Sequence, residues 1–189
     1  MTDPTTAIVV SYHTGQSLKE CLYALASDPA VDAVRIVDNG NPETMRIWLR
    51  NFCESRQAIS LIDAGGNIGF GAGVNRGAAG VDEGDLLIIN PDAILKRGSI
   101  EAMQQAARGQ PHPCIVGGNV FDTYGREVRG PRRRKLTLLR ALTTFSGFNT
   151  WTLERTPAPE GPVEVGAVSG ALMLVSARDF SALGGFDEG

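Results

Sequence analysis

Thr6-Ala-Ile-Val-Val-Ser-Tyr12 is a short apolar run, rich in β-branched residues, that ends on two hydroxyl side chains. Such a run reads as a buried strand with its polar groups at the carboxyl end. Three later segments repeat the pattern: Val34-Arg-Ile-Val-Asp38, Ala58–Asp63 and Asp85-Leu-Leu-Ile-Ile-Asn90. Helical segments separate them. Ser17 and Glu20 make an S-x-x-E capping box for a helix to about Ala26. Asn41 is placed to cap a second helix, with Pro42 at its first position and an end near Phe52. A small helix is expected over Ala72–Ala79 and another over Ser99–Arg108. Strands that alternate with helices and carry near-continuous apolar runs predict an α/β fold, a parallel sheet covered on both faces. Right-handed crossovers put the loops after the strands along one edge. Ligands bind at that edge in open sheets of this kind.

The 189 residues suit one domain, 1–189, large enough to bury a core. Hydrophobic residues make up 42% and charged residues 21%, as in ordinary globular chains. A net charge of −3 argues against nucleic acid as a partner. Cys21, Cys53 and Cys114 are odd in number and form no C-x-x-C pair, which argues against a disulfide framework and a zinc site. Cys21 and Cys114 read as buried thiols in a reducing compartment. Met1-Thr-Asp-Pro4 lacks the basic and apolar regions of a signal peptide. The longest nearly apolar stretch, Val165–Val175, falls short of the ~20 residues that span a bilayer. The expected location is cytoplasmic, in solution or on the inner face of the membrane. Beyond residue 110, strands are expected over Cys114–Asn119 and Phe121–Val128, joined to a turn at Tyr124-Gly125, and over Val163–Val168 and Ala171–Val175. Helices are expected over Leu136–Phe145 and Ala177–Leu183, and loop over Thr156–Pro162.

The strand ends carry the candidate chemistry. Asp38 precedes Asn39-Gly40, a turn signal; its carboxylate either accepts a ring N–H from a pyrimidine or only caps the turn. Gly65-Gly-Asn-Ile-Gly-Phe-Gly-Ala-Gly-Val-Asn75 opens a helix. Its glycines permit close backbone approach, and a helix N-terminus offers free N–H groups to phosphate. Asn67 and Asn75 are placed to add amide hydrogen bonds; the bland reading is a turn packed on the sheet. The run fits neither the dinucleotide fingerprint nor a Walker loop. Asn90-Pro91-Asp92 ends the fourth strand. A hard divalent cation is often held by one or two carboxylates plus substrate phosphates, and Asp92 suits that role, though a plain turn explains the tripeptide equally well. Ser169-Gly170-Ala171 either leaves room for a substrate or packs tightly. Arg132–Lys135 is a solvated basic face or a surface for anionic lipid or a lipid-diphosphate acceptor. His13 and His112 lie in loops and suggest no Ser-His-Asp arrangement.

Taken together, Ile8-Val-Val-Ser-Tyr12, Val37-Asp-Asn-Gly40, Gly66–Gly77, Leu87-Ile-Ile-Asn-Pro-Asp92, Val168–Leu174 and Gly184-Gly-Phe-Asp-Glu188 resemble the family-2 inverting glycosyltransferases, particularly the rhamnosyltransferase-like branch. The resemblance implies a GT-A fold, a three-layer α/β/α sandwich, with a nucleotide-sugar-binding half over 1–110 and a partial acceptor-binding part over 111–189. It implies that Val10 and Tyr12 line the base site and that Asp38 bonds the base. Asn67, Gly69 and Asn75 would border the nucleotide, with Asn90 and Asp92 at the diphosphate. Asp92 would hold Mg2+ or Mn2+. Gly170 and Ala171 would border sugar and acceptor. The implied partners are a nucleotide-sugar donor, for instance dTDP-rhamnose, and a saccharide or lipid-linked acceptor of cell-wall polysaccharide synthesis. Family members usually continue past Gly-Gly-Phe-Asp-Glu to a Glu-Asp pair carrying the general base. The chain stops at Gly189, so that base is expected to be missing; Asp187 is a weak substitute. Donor binding would then survive while transfer falls by the ~10²–10⁴ a general base contributes. Two further readings stay open: a catalytically silent nucleotide-sugar-binding fragment, and a sugar-phosphate nucleotidyltransferase, although Ser11–Ser17 lacks the basic Gly-rich loop the latter needs.

Overall fold

The computed structural model describes residues 3–122, 124–125, 132–133 and 161–188. Its elements run β1 (Thr5–Ser11), α1 (Gln16–Ser27), β2 (Ala33–Asp38), α2 (Glu43–Glu54), β3 (Ile59–Asp63), α3 (Phe70–Ala78), β4 (Asp85–Ile89), α4 (Ser99–Ala107) and β5 (Ile115–Gly117). They continue with β6 (Arg132–Arg133), β7 (Ala167–Val168), β8 (Leu172–Ser176) and α5 (Ala177–Ala182). Six strands make the main sheet in the order β3-β2-β1-β4-β8-β5. The first four run parallel, as their apolar character predicts. β8 is antiparallel to both β4 and β5. β6 and β7 form a separate antiparallel pair.

Alternation along each strand sends neighbouring side chains to opposite faces. Ala7, Val9, Ile36, Leu87 and Ile89 pack under α1, α2 and α4. Ile8, Val10, Val37, Leu86 and Ile88 pack on the other face with Val74 and Ala78 of α3 and Ala177 of α5. The expected three-layer α/β/α sandwich is therefore the observed one. α3 lies close on β1 because Gly73 and Gly77 sit one turn apart on its inner face. A Cβ at Gly73 would come 2.7 Å from Val10 Cγ1, and one at Gly77 would come 2.6 Å from Ile8 Cγ2.

Several local expectations are corrected. Ser17 is not a cap: α1 begins at Gln16, and Gly15 at φ 72 is its N-cap with no side-chain hydrogen bond. The chain leaves β1 through His13, at φ 52, and needs a glycine two residues later to turn into the helix. Asn41 is not the cap of α2 either. Pro42 holds that position because the Asn41 amide is spent on β1 and β2. The expected strand over Phe121–Val128 is, where described, an isolated bridge at Phe121 followed by a turn in which Gly125 N donates to Asp122 O at 2.9 Å. The Asp122 carboxylate takes the Tyr124 N–H at 2.9 Å, and such a local bond competes with ladder pairing. The strands foreseen over Cys114–Asn119 and Val163–Val168 shorten to β5 and β7. Cys114 is only half-buried. The helix expected over Leu136–Phe145 and most of the loop over Thr156–Pro162 lie outside the described residues.

Asp179 ties α5 to the approach of β5. It is buried, with Oδ2 2.7 Å from His112 Nδ1 and accepting the Cys114 N–H at 3.1 Å, while its own N–H donates to Ser176 Oγ. The His112 hydrogen bond holds the carboxyl below its usual value of 3.8; burial opposes this, and the Cys114 and Ser176 bonds reinforce it. A depressed folded-state value means stability that is complete above 3.8 and lost as pH falls through the lower folded value. The Tm gap between wild type and Asp179→Asn should therefore be largest near neutrality and close as pH drops below about 4. A gap constant with pH would remove the carboxylate from the account.

Candidate functional site

The sheet order places the site. The chain winds outward from β1 to β2 and β3, then returns to place β4 on the other side of β1. The point where winding reverses leaves a crevice at the carboxyl ends of β1 and β4, the usual ligand position in such sheets. Register brings the ends of three strands level, with Ser11 opposite Asp38 and Asp38 opposite Asp63.

A buried polar network braces that edge. Asn41 Oδ1 accepts from Ser11 Oγ at 3.1 Å and from the His13 N–H at 3.0 Å, while Nδ2 donates to Ser11 O and to Asp38 Oδ1. Asp38 Oδ1 also takes the N–H groups of Gly40 and Asn41. Its Oδ2 lies 3.1 Å from Arg46 Nε, and the same guanidinium reaches Asp63 at 3.0 Å. Asp38 thus caps its own turn and is charge-paired from behind by α2. Above it, Tyr12 is 51% exposed with its ring against Gly40, which sits at φ 100 beside the Gly66–Asn67 backbone.

The glycine-rich loop is pinned by Asn39. Its Oδ1 accepts the Ile68 N–H at 2.9 Å, and its Nδ2 donates to Asn67 Oδ1 at 3.1 Å. Asn67 Oδ1 also takes the Gly69 N–H. Gly69, at φ 86, is the N-cap of α3 and supplies no side chain to it. The first N–H groups of α3 have no intrahelical partner, and the helix dipole adds partial positive charge there. Phe70 stands exposed at this end, with its ring 3.3 Å from a Cβ built at Gly170.

The Asn90-Pro91-Asp92 turn closes the crevice. Asn90 N donates to Ala171 O at 3.0 Å, which joins β4 to the Ser169-Gly170-Ala171 segment ahead of β8. Underneath, Cys21 Sγ lies 3.6 Å from Asn90 O. Burial, and secondarily the Asp92 charge, push the Cys21 thiol up to about 12. Asp92 itself is exposed. No group of three or more His, Cys, Asp or Glu able to hold a metal exists among the described residues. One exposed carboxylate beside an amide fits a hard cation that keeps water and substrate phosphates as its other ligands, not an all-protein cage.

Tyr12, Asp38, Asn67, Gly69, Asn90, Asp92, Gly170 and Ala171 therefore share one edge. Two expected site residues face elsewhere. Val10 is 6% exposed and fits under Gly73, so its side chain backs the crevice from the core. Asn75 spends its amide on Phe186 and Glu188. Asp187 is exposed, with its carbonyl 3.0 Å from a Cβ built at Gly71 in the first turn of α3. Sequence reasoning missed Asn39 and the brace made by Asn41 and Arg46. The signal was present: Asp38-Asn-Gly-Asn41 is a polar run directly after an apolar strand, where side chains are buried and must find partners.

Comparison with known proteins gives the same outline. A profile of the family described as "Glycosyl transferase family 2" matches residues 6–177. Two Mycobacterium tuberculosis proteins, from strains CDC 1551 and H37Rv, are named N-acetylglucosaminyl-diphospho-decaprenol L-rhamnosyltransferase. Each is 32% identical over 211 residues, covering 100% of this chain and 66% of the relative. The hexosyltransferase Agl10 of low-salt glycan biosynthesis in Haloferax volcanii is 26% identical, with 100% of this chain and 57% of the relative covered. This chain thus spans under two thirds of their length. Among solved structures, the Pyrobaculum calidifontis mannosyltransferase PcManGT with GDP-Man and Mn2+ superposes at TM-score 0.63 and 16% identity, covering 100% of this chain and 48% of that one. GalNAc-T7 with UDP, GalNAc and Mn2+ superposes at 0.68 and 11%, covering 99% and 37%. At those identities they bear on the fold alone, which is the GT-A type.

Proposed function

The chain belongs to glycosyl transferase family 2, and we propose that it binds a nucleotide-diphosphate sugar in the crevice between β1 and β4 and passes the sugar, with inversion, to a saccharide or lipid-linked acceptor. The observation that carries this is the meeting of three turns, at Tyr12, Asp38–Asn41 and Asn90–Asp92, with the open N-terminus of α3. Tyr12 offers a ring face to the base, and Asp38, held in place by Asn41 and Arg46, offers carboxylate oxygen to a ring N–H. The diphosphate lies against the first N–H groups of α3, which favour anions. Asp92, with Asn90 beside it, holds Mg2+ or Mn2+ against the phosphates; when bound, the cation neutralises charge growing on the departing diphosphate. Gly170 and Ala171 leave space for the sugar next to that turn. The acceptor hydroxyl attacks from the face opposite the leaving group. Mn2+ in two solved neighbours supports the cation.

The finer reading is dTDP-rhamnose as donor and a lipid-diphosphate acceptor; the names of the 32% identical relatives support the rhamnosyl group and the lipid diphosphate. β6 pairs Arg132 with Val168 and Arg133 with Ala167, next to Ser169-Gly170. Arg132 and Arg133, the described start of the basic run, thereby lie beside that segment, which supports an anionic lipid headgroup there and peripheral membrane contact. Among the described residues no helix is long and apolar enough to cross a membrane. The part over 111–189 then serves the acceptor, and the half over 1–110 the donor.

Isothermal titration with dTDP, UDP and GDP, each with and without Mn2+, tests the reading. We expect saturable binding that the metal tightens, with dTDP preferred. No heat from any of them, in either condition, would count decisively against it. A thermal-shift panel of nucleotide sugars then identifies the donor, because a ligand at 100 times its Kd stabilises by about 2.7 kcal/mol.

A further inference from the structure

α5 ends in two glycines, Gly184 at φ 79 and Gly185 at φ 76, and the chain folds back onto α3. There Asn75 pairs with both backbone groups of Phe186, as a neighbouring strand would. Phe186 N donates to Asn75 Oδ1 at 2.8 Å, and Asn75 Nδ2 donates to Phe186 O at 2.9 Å. The same Nδ2 reaches Glu188 Oε1 at 2.7 Å. The approach is so close that a Cβ at Gly185 would fall 2.5 Å from Asn75 Oδ1. One turn nearer the N-terminus, a Cβ at Gly71 would fall 3.0 Å from Asp187 O and 3.2 Å from Phe186 Cβ. The Phe186 ring lies between those of Phe70, 6.0 Å away, and Phe180, 5.9 Å away. The Gly184–Glu188 segment is thus registered against the helix whose N-terminus faces the crevice.

We propose that Asn75 is a positioning residue: its amide latches the Gly184–Glu188 segment to α3 and so fixes the acceptor-side chain relative to the donor diphosphate. The inference rests on the donor reading above, and it reassigns Asn75 from donor ligand to latch. Side-chain packing alone would hold Phe186 between its aromatic neighbours. It would not need a glycine at 185 or an amide that pairs with both backbone groups of one residue.

The test measures three quantities on wild type, Asn75→Ala, Gly185→Ala and the double variant. These are hydrogen exchange of the Phe186 amide, the Kd for nucleoside diphosphate with Mn2+, and kcat for sugar transfer or donor hydrolysis. Both single variants should speed Phe186 exchange and lower kcat by about ten- to a hundredfold, the loss expected from misplaced reacting groups. Nucleoside diphosphate affinity should stay within about twofold, because the latch makes no donor contact. The double variant should be no worse than the singles, since both break one contact. Faster exchange with unchanged kcat would reduce the latch to packing and overturn the proposal. A Kd weakened in step with kcat would restore Asn75 as a donor ligand and overturn it equally. A wild type that binds no nucleoside diphosphate sinks the donor reading itself. A wild type that binds, beside variants that turn over normally, sinks only the latch.

Discussion

Asp92→Ala is expected to lose the metal dependence of nucleoside diphosphate binding and to turn over at least about a hundredfold more slowly. A cation at a developing negative charge is worth several kcal/mol, and each 1.36 kcal/mol is about tenfold in rate. The effect should be large because the described residues hold no cluster of three or more His, Cys, Asp or Glu that could take the cation instead. It should also be clean. Asp92 is exposed, and its charge is the smaller cause of the raised Cys21 thiol. Burial is the larger cause of that raised thiol, so Cys21 should stay silent to alkylating reagents in wild type and variant alike. An alkylated Cys21 would show that the turn had come apart and that lost binding reflects unfolding. Full metal-dependent affinity in a folded Asp92→Ala protein would move the cation site elsewhere. Asn90→Ala provides the milder comparison, because the Cys21 contact uses the Asn90 backbone carbonyl and survives the change.

The four parallel strands were legible because each is a short, near-continuous apolar run, broken inside only by Arg35 in β2 and Ser60 in β3, as a sheet covered on both faces predicts. The strand ends were legible for the converse reason: Tyr12, Asp38 and Asp92 are polar groups where apolar runs stop. Partner choice was not legible. Ser17 and Asn41 both carry capping signatures, yet neither caps: α1 opens two residues earlier, from Gly15, and Asn41 spends its amide on neighbouring strands that a local rule cannot register. Asn75 shows the same limit at longer range, as its partners lie 111 and 113 residues away. Nothing local to Gly-Val-Asn-Arg-Gly77 announces them. Antiparallel β8 and β5 were readable as strands, but not in direction or order, because a short apolar segment fits either edge of the sheet.

Asn41→Asp should be the most damaging substitution of a single atom in the site, and its pH dependence identifies the cause. The Asn41 amide sits among groups of opposite demand: Oδ1 faces two donors, Ser11 Oγ and His13 N, while Nδ2 faces two acceptors, Ser11 O and Asp38 Oδ1. Alanine there orphans the His13 N–H and the Ser11 hydroxyl, a loss of about 1–3 kcal/mol. Aspartate keeps those two bonds but sets an oxygen against Asp38 Oδ1, now 2.9 Å from a nitrogen. Uncompensated buried charge of this kind costs about 3–5 kcal/mol, so aspartate should be worse than alanine at neutral pH although it is closer in shape. Repulsion by Asp38 raises the folded-state pKa of the introduced carboxyl above its unfolded value. The penalty is then complete above that folded value and fades as pH falls, because the protonated group donates to Asp38 as the amide did. Urea midpoints for wild type, Asn41→Ala and Asn41→Asp across this range separate the possibilities. If aspartate tracked alanine at every pH, the brace would not be electrostatic, and Asp38 would lose its claim to a fixed orientation toward the base.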